Sequence, residues 1–501
     1  MSLAQLFGSA PRDAEVSGIT LDSRLVAPGD LYVALPGARH HGAEFAAAAV
    51  AAGAVAILTN PAGRPLAETA GVPVVIRDDP RAAMASLAAE IYGRPAEAMT
   101  MFAVTGTNGK TTTTYLLEAA LLALGHHTGL VGTIGYRLDG AVLAAARTTV
   151  TTPESPELQA LLGYLHEQGA DAALMEVSSH ALVLGRADAI TFDVAAFTNF
   201  GRDHLDFHGD EESYFAAKAS LFTPERARRA VINIDDPRGR QLVDRLQATG
   251  ELTVKTMSLS DPADYRATEL RSGDDGRTAV SAVLAGRAVD FWLGLPGDFN
   301  VRNALTALAM VDLVYGDLTH AELSRAATGL GGASIPGRME RVDLGAGAPL
   351  VYVDFAHTPQ AVAAALAATG ERRRIVVLGC GGDRDRRKRR PMGAAAAAGA
   401  DVVVVTDDNP RSEDPSAIRA EIVAGAAEAV RTGRLSTQVL DGGDRRSAIR
   451  QALELARPGD VVAVLGKGHE DGQELAGQVL RFSDADTVRE QWRRRGGMGP
   501  S

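Results

Sequence analysis

The chain has 501 residues, a length that predicts roughly three domains, and its 46% hydrophobic and 23% charged residues describe a globular protein with ample core. A net charge of −11 disfavours nonspecific binding of nucleic acid or an anionic membrane by the chain as a whole. No apolar run approaches ~18 residues, the N-terminal stretch MSLAQLFGSAPRDAE lacks a basic segment leading into an apolar one, and the single cysteine, Cys380, excludes an intrachain disulfide. A cytoplasmic protein with neither membrane span nor signal peptide is expected.

Residues 1–95 read as a small α/β domain. LYVAL (31–35), AVAILT (54–59) and VPVVIR (72–77) are strand-like. The alanine-rich stretch 45–52 between the first two predicts an ordered helix, because Ala is the best helix former. LDSR (21–24), PGDLYVALPG (28–37) and RHHG (39–42) set turn residues beside polar ones, which by itself describes loops at a sheet edge.

Residues 96–335 are organised around TMFAVTGTNGKTTTT (100–114). The apolar run 101–104 reads as a buried strand, Gly106 and Gly109 break it, and the Leu and Ala spacing beyond Lys110 reads as a helix. Strand, glycine turn, Lys, Thr and helix form the P-loop arrangement, in which first-turn amides without helical partners face phosphate. In that arrangement Lys110 reaches the β and γ oxygens and the Thr111 hydroxyl holds Mg2+. The eight-residue Walker pattern has Gly where this chain has Val104, so only NGKTT is standard. The plainer alternative is a strand-to-helix turn with an exposed Lys. Composition weighs against it: the lysines are Lys110, Lys218, Lys255, Lys388 and Lys467, and all other basic positions are Arg. A Lys inside a motif then points to chemistry that Arg cannot perform.

Beyond the P-loop, apolar runs repeatedly end in polar residues. AALMEV (172–177) carries Glu176 and leads into SSH; DVAAFT (193–198) runs into NFGRDHLDFHG (199–209); AVINI (230–234) ends in Asp235 and Asp236; GDFNVRN (297–303) opens a helix. Ligands of open parallel sheets sit outside the carboxyl ends of the strands, so these clusters together suggest one site. A carboxylate on a core strand is costly unless paired or metal-bound, which makes Glu176 the candidate second ligand for a P-loop Mg2+. His204 and His208 are weaker candidates, since loop histidines usually face solvent.

Residues 336–501 alternate strands RIVVLG (374–379), DVVVVT (401–406), LSTQVL (435–440) and VVAVLG (461–466) with helical stretches, a Rossmann-like pattern. Their ends are again polar: CGGDRDRRKRR, DDNPR and KGHED. The run 383–390 has the ordinary reading of a solvated charge run, and DNPR (408–411) that of a turn before a helix starting near Pro415, but both sit at the carboxyl ends of successive strands in one domain, which favours a site.

Eleven segments in order resemble the Mur ligases of bacterial cell-wall synthesis: TGTNGKTT (105–112), TTP (151–153), EVSSH (176–180), DHLDFHG (203–209), Lys218, GDFNVRN (297–303), GRME (337–340), DFAHTP (354–359), GGDRD (381–385), DNPR (408–411) and GKGHE (466–470). DNPR with GKGHE resembles the diaminopimelate-adding branch of that family. The resemblance implies an α/β, three-domain Mur ligase architecture: a small N-terminal UDP-substrate domain, a central P-loop ATP-binding domain with a parallel sheet, and a C-terminal Rossmann-like domain that binds the amino acid. It implies an ATP-dependent ligase in peptidoglycan precursor synthesis. ATP phosphorylates the D-glutamyl carboxylate of UDP-MurNAc-L-Ala-D-Glu, and diaminopimelate attacks the acyl phosphate. A carboxylate does not condense with an amine at neutral pH, so the protein's tasks are positioning and charge neutralisation.

Carried over by motif, the resemblance makes Gly106, Thr107, Asn108, Gly109, Lys110, Thr111 and Thr112 the ATP phosphate cradle, with Asn300, Asn303, Arg338 and Asp354 as further nucleotide contacts. It gives Mg2+ the ligands Thr111 and Glu176, a second metal His204, and Lys218 a carbamylated, carboxylate-like metal ligand, a conversion closed to Arg. Leu21 and Ser23 resemble uridine contacts, and Thr151, Thr152, Ser178 and Arg186 contacts to the muramoyl dipeptide. Arg384, Asp408, Asn409, Pro410, Arg411, Gly466 and Glu470 match the diaminopimelate pocket. There Arg411 and Asn409 suit the carboxylate that distinguishes diaminopimelate from lysine. The chain departs from the family pattern at Leu184, where a Gln is common, at Phe355, where Tyr is usual, and at Gln360, where an Asp follows. The implied partners are these small-molecule substrates, with no nucleic acid and a monomeric chain.

Three other readings are open at this level. A lysine-adding Mur ligase shares the whole scaffold. A folylpolyglutamate synthase shares the central chemistry but usually lacks the LDSR domain and the DNPR pocket. A GTPase switch matches at Asp206 to Gly209 (D-x-x-G), but N-K-x-D is missing because no Lys follows an Asn.

Overall fold

The computed structural model describes residues 1–9, 13–144, 150–273 and 276–496. The N-terminal region is a four-stranded parallel sheet in the order Gly18–Thr20, Asp30–Ala34, Ala56–Thr59, Val74–Ile76. Alternate residues feed opposite faces: Leu31, Val33 and Leu58 pack with Met84 and Leu87, while Tyr32, Ala34 and Ile57 pack with Ala46 and Ala49. The alanine-rich stretch is helical over Ala46–Ala52, preceded by a 3-10 turn, and Asp79 caps the helix Pro80–Ile91 by accepting from the Ala82 amide at 3.0 Å.

The central sheet has a parallel core in the order Thr253–Ser258, Arg229–Asn233, Val194–Phe197, Thr100–Thr105, Ala172–Glu176, Thr128–Gly132. The runs Met101 to Val104 and Ala172 to Met175 are wholly buried, as strands covered on both faces require. The P-loop strand lies between the strand that ends in Glu176 and the strand that ends in Phe197, with Val104 opposite Glu176 and Thr105 opposite Phe197. Sheet register thus brings the loops after all three strands to one edge. Asp235 and Asp236, by contrast, are used structurally. Asp236 caps the helix Pro237–Thr249 and accepts from the Phe200 amide, and Asp235 pairs with Arg302 at 2.6 Å.

The C-terminal sheet runs Glu340–Val342, Leu350–Asp354, Val461–Leu465, Arg374–Leu378, Val402–Thr406, Gln438–Gly443, parallel except at the first strand. Asp354 and Leu378 both face Leu465 in register, so the segments beginning at Phe355, Gly379 and Gly466 leave the same edge. The charge run is not simply solvated. Arg389, at the start of the helix Arg389–Gly399, is 1% exposed and donates to Glu413 and Glu421 at 2.9 Å each, because two carboxylates from the facing segment repay its desolvation. A second buried pair, Arg445 with Asp484, is 0% exposed on both sides, and Arg445 also donates to the Leu465 carbonyl at 3.0 Å.

By packing, the chain divides into two compact units: Met1–Thr268 with Ala282–Val289 and Arg302–Gly329, and Glu269–Ser281 with Asp290–Val301 and Leu330–Ser501. No helix among the described residues is long and apolar enough to cross a membrane.

Candidate active site

In the first unit the strand Thr100–Thr105 passes through Gly106 (φ +148°) and Gly109 (φ +88°) into the helix Lys110–Leu124. A Cβ on Gly106 would lie 1.9 Å from the Thr198 hydroxyl and one on Gly109 2.5 Å from Asn303 Oδ1, so neither position admits a side chain. The loop is tied to the neighbouring strand end. The Thr198 hydroxyl donates to the Asn108 carbonyl at 2.7 Å, the Asn108 amide donates to Asn199 at 3.0 Å, and the Gly201 amide donates to the Thr107 hydroxyl at 2.9 Å. Lys110 curls over the turn, donating to the Gly106 and Thr107 carbonyls at 2.9 and 3.1 Å. Thr111 and Thr112 are buried in the first helical turn, and Asn303 accepts from Thr113 at 3.3 Å.

Glu176 is 0% exposed. Its carboxylate accepts from the Thr111 hydroxyl at 2.9 Å and from both the hydroxyl and the amide of Thr133 at 2.9 Å. A P-loop hydroxyl and a strand-end carboxylate therefore stand side by side as oxygen donors. The neighbouring Gly132 is a necessity, since a Cβ there would lie 2.2 Å from Glu176 Oε1. Among the described residues no group of three or more His, Cys, Asp or Glu side chains is arranged to hold a metal ion by itself.

Lys218, on the helix Glu211–Ala219, is 1% exposed; its amine donates to the Gly106 carbonyl at 2.8 Å and lies 4.4 Å from the Tyr214 ring centre. Burial, and after it the Lys110 ammonium, holds the Lys218 amine well below the usual lysine range, with Asp203 opposing. His204 has a left-handed backbone (φ +52°) and packs edge-on against His180, with ring centres 4.8 Å apart. Burial is the leading cause that lowers His204 and His208, and burial followed by those two rings lowers His180 to about 4. His208 meets the Ser179 hydroxyl at 3.0 Å.

Thr151, Thr152, Ser178 and Arg186 converge. The Thr151 and Thr133 hydroxyls meet at 3.1 Å, Thr152 donates to the Glu176 carbonyl at 2.8 Å and accepts from the Ser178 amide, and Arg186 donates to the Thr152 carbonyl at 3.1 Å. The buried Thr152 hydroxyl is thus committed inside the protein. Glu154 receives Arg186 and, from the N-terminal sheet region, Arg81, each at 2.9 Å. Leu21 and Ser23 flank Asp22, which pairs with Arg24 at 2.6 Å.

In the second unit Asn300 is buried and donates to the Pro296 carbonyl at 2.8 Å. Asp354 accepts from the amides of Met339 and Ala356 at 2.7 and 2.8 Å; burial pushes its carboxyl up, and the Arg338 guanidinium opposes this. Arg338 stacks over the Phe355 ring at 4.7 Å. The DNPR turn meets both the GKGHE segment and the GGDRD loop: Asn409 donates to Glu470 at 2.8 Å and Arg411 donates to the Gly382 carbonyl at 2.8 Å. Gly466 (φ +116°) approaches Asp408, whose Oδ1 is buried without a hydrogen-bond partner among the described residues. Arg384 is exposed on the GGDRD loop, and a Cβ on Gly381 would sit 2.9 Å from Arg411 and 3.9 Å from Arg384 Cγ.

Several residues of these clusters escape sequence reasoning. Lys467 is wholly buried and donates to Asn409 at 3.1 Å and to Glu470 at 2.9 Å; its membership of so small a lysine set was the available signal. Thr133, Glu154 and Glu474 carry no local mark, because their partners come from distant segments, while His180 closes the EVSSH motif without its role being legible there.

The site and the sheet order define the class: an α/β protein with a P-loop phosphate cradle and an adjacent carboxylate. The Mur ligase middle domain matches residues 104–311, the Mur ligase, glutamate ligase domain residues 337–468, and the Mur ligase family, catalytic domain residues 15–92. UDP-N-acetylmuramoyl-L-alanyl-D-glutamate--2,6-diaminopimelate ligases of Streptomyces avermitilis and Corynebacterium glutamicum are 47% and 44% identical to the chain; the alignments cover 97% and 95% of it and 95% and 91% of those proteins. A UDP-N-acetylmuramyl-tripeptide synthetase of Leifsonia xyli is 44% identical over 97% of the chain and 94% of its own length. A solved 2,6-diaminopimelate ligase of the same description superposes with a TM-score of 0.68 at 32% identity, covering 99% of both chains. A Mycobacterium tuberculosis folylpolyglutamate synthase shares the fold, with a TM-score of 0.60 at 21% identity over 83% of this chain and 95% of that one. The chain belongs to the Mur ligase family, whose members use ATP.

Proposed function

We infer that this chain is an ATP-dependent ligase that joins 2,6-diaminopimelate to the D-glutamyl carboxylate of UDP-N-acetylmuramoyl-L-alanyl-D-glutamate in peptidoglycan precursor synthesis. The observation that carries this reading is the DNPR turn, in which Asn409 donates to Glu470 and the Arg411 guanidinium is held on the Gly382 carbonyl, in a chain 47% identical to a ligase of that description. The family matches support regions 1–95, 96–335 and 336–501 for the UDP-substrate, ATP and amino acid.

Gly106, Thr107, Asn108, Gly109, Lys110, Thr111 and Thr112 surround the nucleotide phosphates, the backbone amides and Lys110 taking up their charge. The hydroxyl of Thr111 and the carboxylate of Glu176, 2.9 Å apart, fit Mg2+, which takes few protein oxygens and completes its shell with phosphate and water. When bound, Mg2+ supplies neutralisation of the phosphate charge. Asn300, Asn303, Arg338 and Asp354 are assigned to the nucleotide by their motifs. His204 and Lys218 are assigned to a second metal, Lys218 as its carbamate. Its withdrawal from water supports this, because only a neutral amine adds carbon dioxide.

Leu21, Ser23, Thr151, Ser178 and Arg186 are assigned to the UDP-muramoyl dipeptide, and Thr152, whose hydroxyl is committed inside the protein, joins them by anchoring the Ser178 amide. Its carboxylate oxygen attacks the γ phosphorus and ADP leaves; the amine then attacks the acyl carbon and phosphate leaves. Arg384, Asp408, Asn409, Pro410, Arg411, Gly466 and Glu470 present the amine. The distal ammonium faces carboxylates and the distal carboxylate faces Arg411, a contact L-lysine lacks. ATP and UDP-linked sugars are cytoplasmic pools, which supports a cytoplasmic enzyme.

The test is phosphate release with ATP, Mg2+ and the UDP-dipeptide while the amine is varied. Dependence on diaminopimelate, with UDP-tripeptide formed, is expected. Turnover with lysine alone would reassign the pocket, and independence from the dipeptide would overturn the reading.

A further inference from the structure

Beyond the GKGHE segment the chain forms a two-stranded antiparallel hairpin, Gly472–Leu475 with Gln478–Arg481. Its first strand lies along the DNPR turn and is joined to it by backbone and side chain alike. The Gln473 amide group donates to the Asp408 carbonyl at 2.7 Å, and the Glu474 amide donates to Asn409 Oδ1 at 2.9 Å. The Arg411 amide donates to the Glu474 carbonyl at 3.0 Å, and the Ala476 amide donates to the Arg411 carbonyl at 2.8 Å. Arg411 has φ +53°, a left-handed conformation that a residue with a side chain keeps only when its surroundings over-determine it. The hairpin supplies that constraint by holding the Arg411 peptide on both sides.

The side chain is fixed as well. Arg411 Nε donates to Glu474 Oε2 at 3.0 Å and Nη1 donates to the Gly382 carbonyl at 2.8 Å. Contacts at Nε and Nη1 set the plane of the guanidinium, and in that orientation its Nη2 donors are the ones to meet a ligand carboxylate. An unheld arginine loses much rotamer freedom on binding, so prior fixation favours affinity for the ligand that uses the fork and for no other.

We propose that Glu474, on the hairpin Gly472–Arg481, is a positioning residue that presets Arg411 for the distal carboxylate of diaminopimelate and thereby sets discrimination against lysine. The proposal rests on the diaminopimelate reading of the pocket. Glu474 does not touch the reacting atoms, and its side chain is 42% exposed, so its truncation removes little packing.

The test compares wild type, Glu474→Ala and Glu474→Gln in phosphate release with varied diaminopimelate, L-lysine and ATP. Glu474→Ala is expected to raise the KM for diaminopimelate about tenfold, the loss of one charge-assisted bond. kcat, the KM for ATP and any kcat/KM for lysine stay unchanged. Glu474→Gln keeps an oxygen on Nε and is expected to stay within about twofold of wild type. An unchanged KM for diaminopimelate in Glu474→Ala, or a parallel rise in the KM values for all substrates, would overturn the assignment. Should Glu474→Ala fold poorly, Glu474→Lys replaces it: like charge against Arg411 must raise the same KM, and no rise overturns the assignment. Wild-type release that ignores diaminopimelate fails the proposed function and this inference together. Wild-type dependence with an indifferent Glu474→Ala fails this inference alone.

Discussion

A lysine whose amine is withdrawn from water and held 2.8 Å from the Gly106 carbonyl differs chemically from a surface lysine. Burial disfavours its ammonium, so a larger share of Lys218 is the neutral nucleophile that adds carbon dioxide. A guanidinium stays charged and cannot follow. Lys218→Arg is therefore expected to lower phosphate release about 100-fold, the scale of a lost metal-site group. Isotope-labelled bicarbonate should give a carbamate NMR signal in the wild type that disappears in the variant. A variant with wild-type rates would remove Lys218 from the mechanism. At this scale the sequence was informative where a residue type was rare, as with Lys218, and silent for Glu154 and Thr133, which matter through partners distant in the chain.

The short helices Ser179–Val183 and Leu205–His208 bring three histidines together: His180 lies 4.8 Å from His204 and 5.5 Å from His208 between ring centres. Burial and the neighbouring rings lower His180 from 6.5 to about 4. The unfolded chain then binds more protons than the folded one between those values, so stability rises with pH across that window and is lost as pH falls through it. The thermal midpoint of the wild type should drop between pH 6.5 and about 4, and His180→Gln should flatten part of that slope. Identical slopes would show that the cluster does not control acid stability. The most apolar core strands were legible because buried parallel strands need continuous apolar runs, whereas Thr128–Gly132 and Thr253–Ser258, short or rich in polar residues, were not. The hairpin Gly472–Arg481 was not, since its residues are polar or exposed and its role lies in hydrogen bonds to another segment.

Across the whole molecule, the pair proposed to hold Mg2+, Thr111 and Glu176, is already satisfied by protein. Glu176 accepts from Thr111 and twice from Thr133, so the fold does not need an ion to neutralise it. Removing Mg2+ with a chelator is therefore expected to abolish phosphate release while leaving the thermal midpoint and circular dichroism unchanged. Unfolding on chelation would make the metal structural.

Local chemistry in the chain was enough for the α/β class, the P-loop, the candidate carboxylate on a core strand and the family resemblance, because apolar runs, glycine turns and motif spacing are properties of contiguous residues. The register that sets Val104 beside Glu176, the burial of Lys218 and Lys467, and the grip of the hairpin on Arg411 came only with the tertiary structure. Each depends on which strands become neighbours and how much water remains between them, and contiguous sequence encodes neither quantity.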